Sequence, residues 1–274
     1  MDLKFFWKII IKAGRIKSPA ATILAIAPTL IGYLKNNSSV SYFLIAILSF
    51  ASFFGRTAGC IYNEFVDQKI DKHVERSKKR IFALKNISFK SILPLGIGAA
   101  VITLILYHFL NLQAILIASL TIFIALIYPF TKRFFPIPQL FLAVAYPAGA
   151  LVGWVMQGKG LISTTPWIIY FCTMHWVATF DTIYAYQDYE GDLKQNLKSS
   201  AVLLGKKYGK LGILYGWAKT CTLYYFIGNF YALISLIAFG MIMLIDLNLT
   251  KPISCRKWFI YQQYAAIIML LGVI

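Results

Sequence analysis

Two short acidic segments contain the side chains of this sequence that are best suited to chemistry. Apart from Asp2 and Asp246, every acid of the chain belongs to one of them. These acids are, in order, Glu64, Asp67, Asp71 and Glu75, then Asp181, Asp188, Glu190 and Asp192. Carboxylates crowded in this way repel one another unless a cation lies between them. The two segments therefore predict a cation site.

Helical spacing orders the first segment. Residues four apart lie on nearly the same face of an α-helix, so Asn63, Asp67 and Asp71 form one stripe. Arg56 lies seven residues before Asn63 and joins that stripe. The first segment thus combines oxygen ligands with a basic residue two turns away.

The second segment repeats this arrangement, since Asp181, Asp188 and Asp192 lie on a similar stripe. Oxygen ligands from two helices suit Mg²⁺, which takes one or two protein carboxylates and completes its shell with water and substrate phosphates. A diphosphate bound through Mg²⁺ is the predicted occupant. The simpler alternative is that the acids only pair with neighbouring Lys and Arg residues on a solvated face. That would suffice for one segment, but two matched segments favour a site.

The elements that position these segments are predicted to cross a membrane. Hydrophobic residues make up 59% of the sequence and charged residues 14%, and the mean hydropathy of +0.69 excludes a soluble globular domain. Apolar runs approach the roughly 20 residues that a membrane-spanning helix needs. We predict an all-α, polytopic membrane protein with about nine transmembrane helices around a central cavity. The predicted crossings are residues 18–34, 41–62, 91–110, 112–130, 138–156, 165–187, 211–228, 230–247 and 257–274.

We expect residues 1–274 to form a single transmembrane domain. Each acidic segment follows the second helix of a four-helix set, so helices 1–4 and 5–8 look like a distant internal repeat, with the ninth helix left over. Residues 1–17 interleave basic and apolar residues at helical spacing. This pattern predicts an amphipathic segment on an anionic leaflet.

The basic residues predict which side of the membrane the acidic segments face. With the amino terminus inside, nearly all of the 27 Lys and Arg residues fall in cytoplasmic segments, as the positive-inside rule requires. Both acidic segments then lie at cytoplasmic helix ends. The net charge of +17 is a membrane-topology signal, and no nucleic acid is needed to explain it. With no presequence expected, we favour a bacterial inner membrane, with a mitochondrial inner membrane as the alternative.

The stretches around the acids resemble the signatures of a known family. GRTAGCIYNEFVDQKIDKHVERSKKR, residues 55–80, is similar to the first aspartate-rich signature of the UbiA superfamily of intramembrane prenyltransferases. DTIYAYQDYEGDLKQNLKSSAVLLG, residues 181–205, resembles the second. YPFTKRFFPIPQ, residues 128–139, resembles the intervening loop of the 4-hydroxybenzoate polyprenyltransferase branch. The departures from these signatures are Glu64, Ser77, Ile81, Gly191 and Asn196. Gly191 replaces an expected acid, which leaves the number of bound ions open.

The resemblance implies an enzyme that transfers a polyprenyl group from an allylic polyprenyl diphosphate to 4-hydroxybenzoate, at the ring carbon ortho to the hydroxyl, in ubiquinone biosynthesis. The expected metal ligands are Asn63, Asp67, Asp71, Asp188 and Asp192. The four aspartates of this set are also the expected catalytic residues, with Asp188 or Asp192 as the proton acceptor. The residues expected to bind the diphosphate are Arg76, Arg80 and Lys198.

The acceptor carboxylate needs a cationic partner near the membrane surface. We expect Lys132 and Arg133 to supply it, with Arg133 preferred for its bidentate fork. Arg56 is a second candidate, and because it lies inside the membrane boundary it should have an anionic partner, either substrate or Asp181. Tyr184 is expected in the acceptor site. Together with Tyr128 and Tyr146, it is a candidate for stabilising an allylic cation.

Two alternatives to this function stay open. The same superfamily contains members for other acceptors, such as naphthoate, homogentisate or a porphyrin. A cation transporter is the other class, but it would place acids near the membrane midplane, where only Asp246 is a candidate.

Overall fold

The computed structural model describes residues 3–72, 77–85 and 87–274, and within these ranges the secondary structure is entirely helical. The helices are α1 (Leu3–Lys12), α2 (Pro19–Leu34), α3 (Tyr42–Val66), α4 (Gln68–Asp71), α5 (Ile81–Lys85), α6 (Phe89–Tyr107), α7 (Leu112–Thr131), α8 (Gln139–Ala145), α9 (Ala148–Val155), α10 (Thr165–Ala185), α11 (Tyr189–Lys194), α12 (Ser200–Tyr224), α13 (Phe230–Asp246) and α14 (Pro252–Leu271). The predicted all-α class is confirmed.

Each predicted crossing coincides with a long helix or a pair of helices. By length and composition alone, α3, α6 and α7 are long and apolar enough to span a membrane. The outer side of this group exposes large apolar side chains, including Leu104, Leu112 and Leu116. Such side chains suit contact with lipid tails. The number of crossings stays a prediction.

Two predicted crossings have different bounds from those expected. The fifth is divided at Tyr146 and Pro147 into α8 and α9, because proline has no N–H to continue the helical ladder. The seventh was expected to begin at residue 211, but the helical segment begins at Ser200 and is kinked at Gly205, whose φ of 59° and ψ of −177° are not helical. The hydroxyl of Ser199 caps α12 by accepting from the Val202 N–H at 3.2 Å, and the lysines of the first three turns remain exposed.

The core is centred on α10, which packs against α2, α8, α9, α12 and α14. Large buried side chains also tie the helices together through hydrogen bonds. The Trp176 indole N–H on α10 donates to Gln262 Oε1 on α14 at 2.9 Å. The Tyr224 hydroxyl on α12 donates to the Met269 carbonyl at 3.0 Å. Within a membrane each buried polar atom needs such a partner, so these bonds fix the relative positions of the helices.

The amphipathic helix α1 packs against the rest of the protein through part of its apolar side. We expected its apolar side to face lipid, yet Ile9 and Ala13 are fully buried in a small core with Ile61 of α3 and Phe82 of α5. Trp7, by contrast, is 54% exposed. The helix therefore packs on the protein along one edge, because Ile61 of α3 and Phe82 of α5 supply an apolar surface there.

Helices α2 and α9 pack with almost no separation between their backbones. A Cβ atom at Gly32 would collide with the backbone of Ala150, and one at Gly153 would collide with the backbone of Thr29. Only glycine permits this approach. The contact fixes α9 against α2 close to the break at Pro147.

We predict that Gly32→Ala lowers the thermal stability of the detergent-solubilised protein, because a methyl group at this position forces two backbones apart. Overpacking of this kind costs roughly 1–3 kcal/mol. Gly98→Ala on α6 is the matched control, since a Cβ there would meet no atom within 4 Å. Thermal unfolding of both variants tests the contact, and equal melting temperatures would contradict it.

Candidate active site

The first acidic segment keeps its helical register past the end of α3. Asp67 is the residue that caps the carboxyl-terminal end of that helix, and its N–H donates to the Asn63 carbonyl at 2.9 Å. The Asp71 N–H donates to the Asp67 carbonyl at 2.8 Å. Asn63, Asp67 and Asp71 therefore follow one another at successive turns, as the spacing predicted.

The second acidic segment does not form the continuous stripe that was expected. α10 ends at Ala185, and the Asp188 N–H bonds only three residues back, to the Ala185 carbonyl at 3.0 Å. A new short helix, α11, then begins, and the Asp192 N–H donates to the Asp188 carbonyl at 2.8 Å. The chain turns between Asp181 and Asp188, so Asp181 stays on the helix while the other two acids lie beyond its end.

Lys132 joins the two acidic segments. Its ammonium lies 2.7 Å from Asp67 Oδ2, and its carbonyl accepts the backbone N–H of Lys198 at 3.0 Å. Its charge also acts on Asp181, and the Tyr128 hydroxyl lies within electrostatic range of the same groups. We call Asp67, Tyr128, Lys132 and Asp181 the Lys132 cluster. One lysine thus contacts the first segment directly and is hydrogen-bonded to the loop after the second.

The protonation state of Lys132 is set by this cluster. Burial opposes the charged ammonium, but the Asp67 carboxylate and Tyr128 outweigh burial and raise the pKa of Lys132 above its ordinary value. The lysine is charged throughout the physiological range. It therefore offers a permanent cation beside Asp67, whose side chain is only 2% exposed.

The chain after the first segment folds back over it. Arg80 Nη1 donates to Asp71 Oδ2 at 2.8 Å, and the Phe82 N–H donates to Glu64 Oε1 at 3.3 Å. The departure from the family pattern at Glu64 thus has a structural effect, because the longer arm reaches the backbone of α5. Arg80 lies close enough to Lys132 for their charges to interact.

Several oxygen atoms of the first segment are buried without a hydrogen-bond partner. They are Asn63 Oδ1, Asp67 Oδ1 and Gln68 Oε1. Among the described residues, however, no three His, Cys, Asp or Glu side chains are close enough to enclose a metal ion. Hard oxygen atoms without a full protein shell fit Mg²⁺ held jointly with a phosphate-bearing ligand and water.

Arg56 does not pair with Asp181, one of the two anionic partners expected for it, and the other partner, substrate, stays a prediction. Its Nη1 donates to the carbonyl oxygens of Gly14 and Arg15, at 3.2 Å and 3.1 Å, while Nη2 is buried with no hydrogen-bond partner. The reason is that the segment after α1 lies against α3 and supplies carbonyl groups first. The side chain of Arg15 continues inward and donates to the Tyr184 hydroxyl at 3.4 Å.

Arg15 is the functional candidate that sequence reasoning missed. It was counted only among the basic residues of an amphipathic segment, yet its charge acts on Glu64 and on Asp181. The available signal was its position between Gly14 and Pro19, two residues that mark a change of chain direction. Asp181 was expected only as a member of the second stripe or as a partner of Arg56, and its Oδ2 is buried without a hydrogen-bond partner.

The remaining predicted residues lie around this cluster or outside the described ranges. Asp188 and Asp192 are half-buried, and the side chain of Lys198 is exposed. Arg133 is exposed, with its guanidinium 5.6 Å from the centre of the Phe130 ring. Tyr184 packs against Phe259 with ring centres 4.8 Å apart. Arg76 and Glu75 lie outside the described residues.

The fold and the site together define a membrane-embedded helical protein with two acidic segments joined by a lysine. The sequence matches the UbiA prenyltransferase family over residues 25–268. A 4-hydroxybenzoate octaprenyltransferase from Francisella tularensis subsp. novicida is 36% identical over 207 residues, which are 74% of this chain and 72% of that protein. The chain belongs to the UbiA prenyltransferase family, and the predicted resemblance is confirmed.

Solved structures support the same fold. The apo structure of a UbiA homolog from Aeropyrum pernix K1 has a TM-score of 0.75 at 25% identity, and the match covers 92% of this chain and 96% of that one. A UbiA homolog from Archaeoglobus fulgidus, solved with GPP and Mg²⁺ bound, has a TM-score of 0.70 at 18% identity and coverages of 94% and 99%. The helical arrangement described above is therefore that of the family.

We predict that Lys132→Met lowers the melting temperature and that adding Asp67→Asn recovers part of the loss. Removing one partner leaves a buried carboxylate without compensation, which costs about 3–5 kcal/mol in a fully buried pair, and less here because the Lys132 side chain is 28% exposed.

The control for this prediction is Lys206→Met. Lys206 forms an equally short pair with Glu190, at 2.6 Å, but both side chains are exposed, and exposed pairs contribute little. We expect no measurable change in its melting temperature. A double variant that unfolds at or below the temperature of Lys132→Met alone would contradict the assignment of a buried, uncompensated charge.

Proposed function

We propose that this protein transfers a polyprenyl group from an allylic polyprenyl diphosphate to the ring carbon ortho to the hydroxyl of 4-hydroxybenzoate, in ubiquinone biosynthesis. In this reaction the allylic carbon–oxygen bond breaks with its electron pair leaving on the diphosphate. A carbon–carbon bond forms at the ring, and the ring carbon loses its proton. The observation that carries the proposal is the Lys132 cluster, in which Lys132 pairs with Asp67 of the first acidic segment and is hydrogen-bonded through its carbonyl to Lys198, just after the second.

The diphosphate of the donor is proposed to bind at the cytoplasmic end of α3. Arg80 lies there, with Nη1 2.8 Å from Asp71 Oδ2. Lys198 follows the second segment and is joined to Lys132 through the backbone. These cations stabilise the negative charge that develops on the leaving diphosphate. Arg76 is proposed for the same role from the sequence alone.

The residues proposed to hold Mg²⁺ are Asn63, Asp67, Asp71, Asp188 and Asp192. The buried, unpartnered oxygen atoms of Asn63 and Asp67 support this choice, since both lie on one helix edge. The chemistry supplied by bound Mg²⁺ is neutralisation of the diphosphate, which favours its departure. The same aspartates orient the diphosphate, and Asp188 or Asp192 is proposed to take the phenol proton and so raise electron density at the ortho carbon.

The acceptor is proposed to lie deeper in the bundle. Arg56 Nη2 is buried there without a partner, and the Tyr146 hydroxyl is within electrostatic range of Arg56 and Asp181. Tyr184 lies between Arg15 and Phe259. An aromatic wall of this kind excludes water and stabilises an allylic cation. Lys132 and Arg133 remain the proposed partners of the acceptor carboxylate, which requires Lys132 to share its charge with Asp67.

The observations do not favour cation transport. Asp246 was the one candidate for a midplane acid, but it is the last residue of α13 and pairs with Lys257, while the Trp258 N–H donates to it at 2.6 Å. We propose a bacterial inner membrane with a cytoplasmic amino terminus, which is supported by the bacterial relative and by the basic residues predicted to lie on one side of the membrane.

We predict near-complete loss of prenyl transfer in Asp67→Asn and in Asp188→Asn, with both variants still inserted in the membrane. Each change removes a carboxylate from the proposed metal and diphosphate site. The assay uses membranes, a radiolabelled prenyl diphosphate and 4-hydroxybenzoate, with Mg²⁺ present or removed by a chelator. Chelation should abolish wild-type transfer, and added Mg²⁺ should restore it.

Asp246→Asn is the control for these variants, because its pairs with Lys257 and Trp258 lie outside the Lys132 cluster. We expect it to retain activity. Full turnover in both Asp67→Asn and Asp188→Asn would refute the assigned site. Offering naphthoate and homogentisate in the same assay decides between acceptors, and labelling of either in preference to 4-hydroxybenzoate would overturn the proposed substrate.

We predict that Arg133→Gln raises the KM for 4-hydroxybenzoate by roughly tenfold to a hundredfold. This factor corresponds to the loss of a charge-assisted hydrogen bond of about 1.5–3 kcal/mol. The KM for the prenyl diphosphate should change little. 4-Hydroxybenzamide lacks the carboxylate, so the wild type should have a KM for it that is higher than that for 4-hydroxybenzoate by a similar factor. In Arg133→Gln the KM for 4-hydroxybenzamide should rise no further. If the effects of the amide and of the variant on KM multiply, Arg133 does not contact the carboxylate.

A further inference from the structure

The segment between α1 and α2 is held in an unusual backbone conformation. Arg15 has a φ of 51°, in the left-handed region that residues other than glycine seldom adopt. The preceding Gly14 has no room for a Cβ atom, which would collide with the Ile10 carbonyl. Such a conformation persists only where the surroundings hold it. We call residues 13–17 the strap.

The residue that holds the strap is Arg56. It reaches from the interior face of α3 and donates from one nitrogen to two consecutive strap carbonyls, those of Gly14 and Arg15. A guanidinium is suited to this contact because its donors are fixed in one plane. Lysine keeps the charge at this position but has no rigid fork.

The other anchor of the strap is apolar. Ala13 at its start and Ile9 on α1 are fully buried. Thr57, next to Arg56 on α3, lies beside Gly14. The strap is therefore fixed at its outer edge by packing and at its inner edge by the Arg56 hydrogen bonds.

The consequence of this arrangement is the position of the Arg15 side chain. With its carbonyl bound to Arg56, Arg15 extends its guanidinium to the Tyr184 hydroxyl on α10. There it acts on Glu64 in the first acidic segment and on Asp181 in the second. It is thus a second cation, besides Lys132, that interacts with both segments.

We infer that Arg56 is a positioning residue, which binds the strap carbonyls and thereby holds the Arg15 guanidinium between the two acidic segments. This role is distinct from acceptor binding, because it uses Nη1 and the backbone of the strap. The inference rests on the proposed function only for its kinetic test.

The structural test is amide hydrogen exchange of the strap in the full-length protein in detergent. Arg56→Lys keeps the charge but loses the double hydrogen bond, so exchange of residues 13–18 should accelerate by roughly tenfold or more, as expected for a loss of about 1.4 kcal/mol. Exchange in α10 should not change. Arg256→Lys, the same substitution at an exposed site on α14, should leave both segments unchanged. Unaltered strap exchange in Arg56→Lys would overturn the inference.

The kinetic test compares Arg15→Gln, Arg56→Lys and the double variant, with kcat/KM measured for the prenyl diphosphate at saturating 4-hydroxybenzoate so that any loss of acceptor binding at Arg56 does not enter the comparison. If Arg56 acts through Arg15, each single variant lowers kcat/KM and the double variant is no worse than the more impaired single one. Multiplying losses would overturn the inference, since they would mean that Arg56 acts independently of Arg15. Absence of prenyl transfer in the wild type would refute the proposed function instead, and hydrogen exchange would still decide on the strap.

Discussion

The buried ion pair between Lys132 and Asp67 is the interaction on which the site depends. The Asp67 carboxylate lies at the end of α3 with almost no solvent exposure, a position that is costly for a charge without a partner. The partner comes from the loop after α7, and the same residue is hydrogen-bonded through its carbonyl to the loop that precedes α12. One charge pair therefore fixes where three separate parts of the chain meet.

The other cations follow the same principle. Arg80 pairs with Asp71 after the chain has turned back through α5, and Arg15 enters from the strap to interact with Glu64 and Asp181. Each acid near the end of α3 thus has a basic group from a different segment close to it. Before substrate binds, these ion pairs stabilise the acids. An incoming diphosphate would take over the cations, and a metal ion would take over the carboxylates.

The proposed exchange of partners would account for the unpaired oxygen atoms. Asn63 Oδ1 and Asp67 Oδ1 are buried and accept no hydrogen bond, although buried polar atoms are normally satisfied. The other oxygen of Asp67, Oδ2, lies 2.7 Å from the Lys132 ammonium. In the proposed site these atoms would be acceptors for a ligand within a membrane-embedded bundle, where unsatisfied groups are otherwise avoided.

The sequence by itself determined the helical class, the approximate helix bounds and the identity of the two acidic segments, because hydropathy and helical period are local properties. It did not determine that the second stripe breaks after Ala185, that α12 begins at Ser200, or that α1 docks on α3. Nor did it pair Lys132 with Asp67, 65 residues apart, or Arg15 with Tyr184, 169 residues apart. Those contacts depend on how helices pack, and periodicity along one helix carries no information about which basic residue its neighbours bring to it.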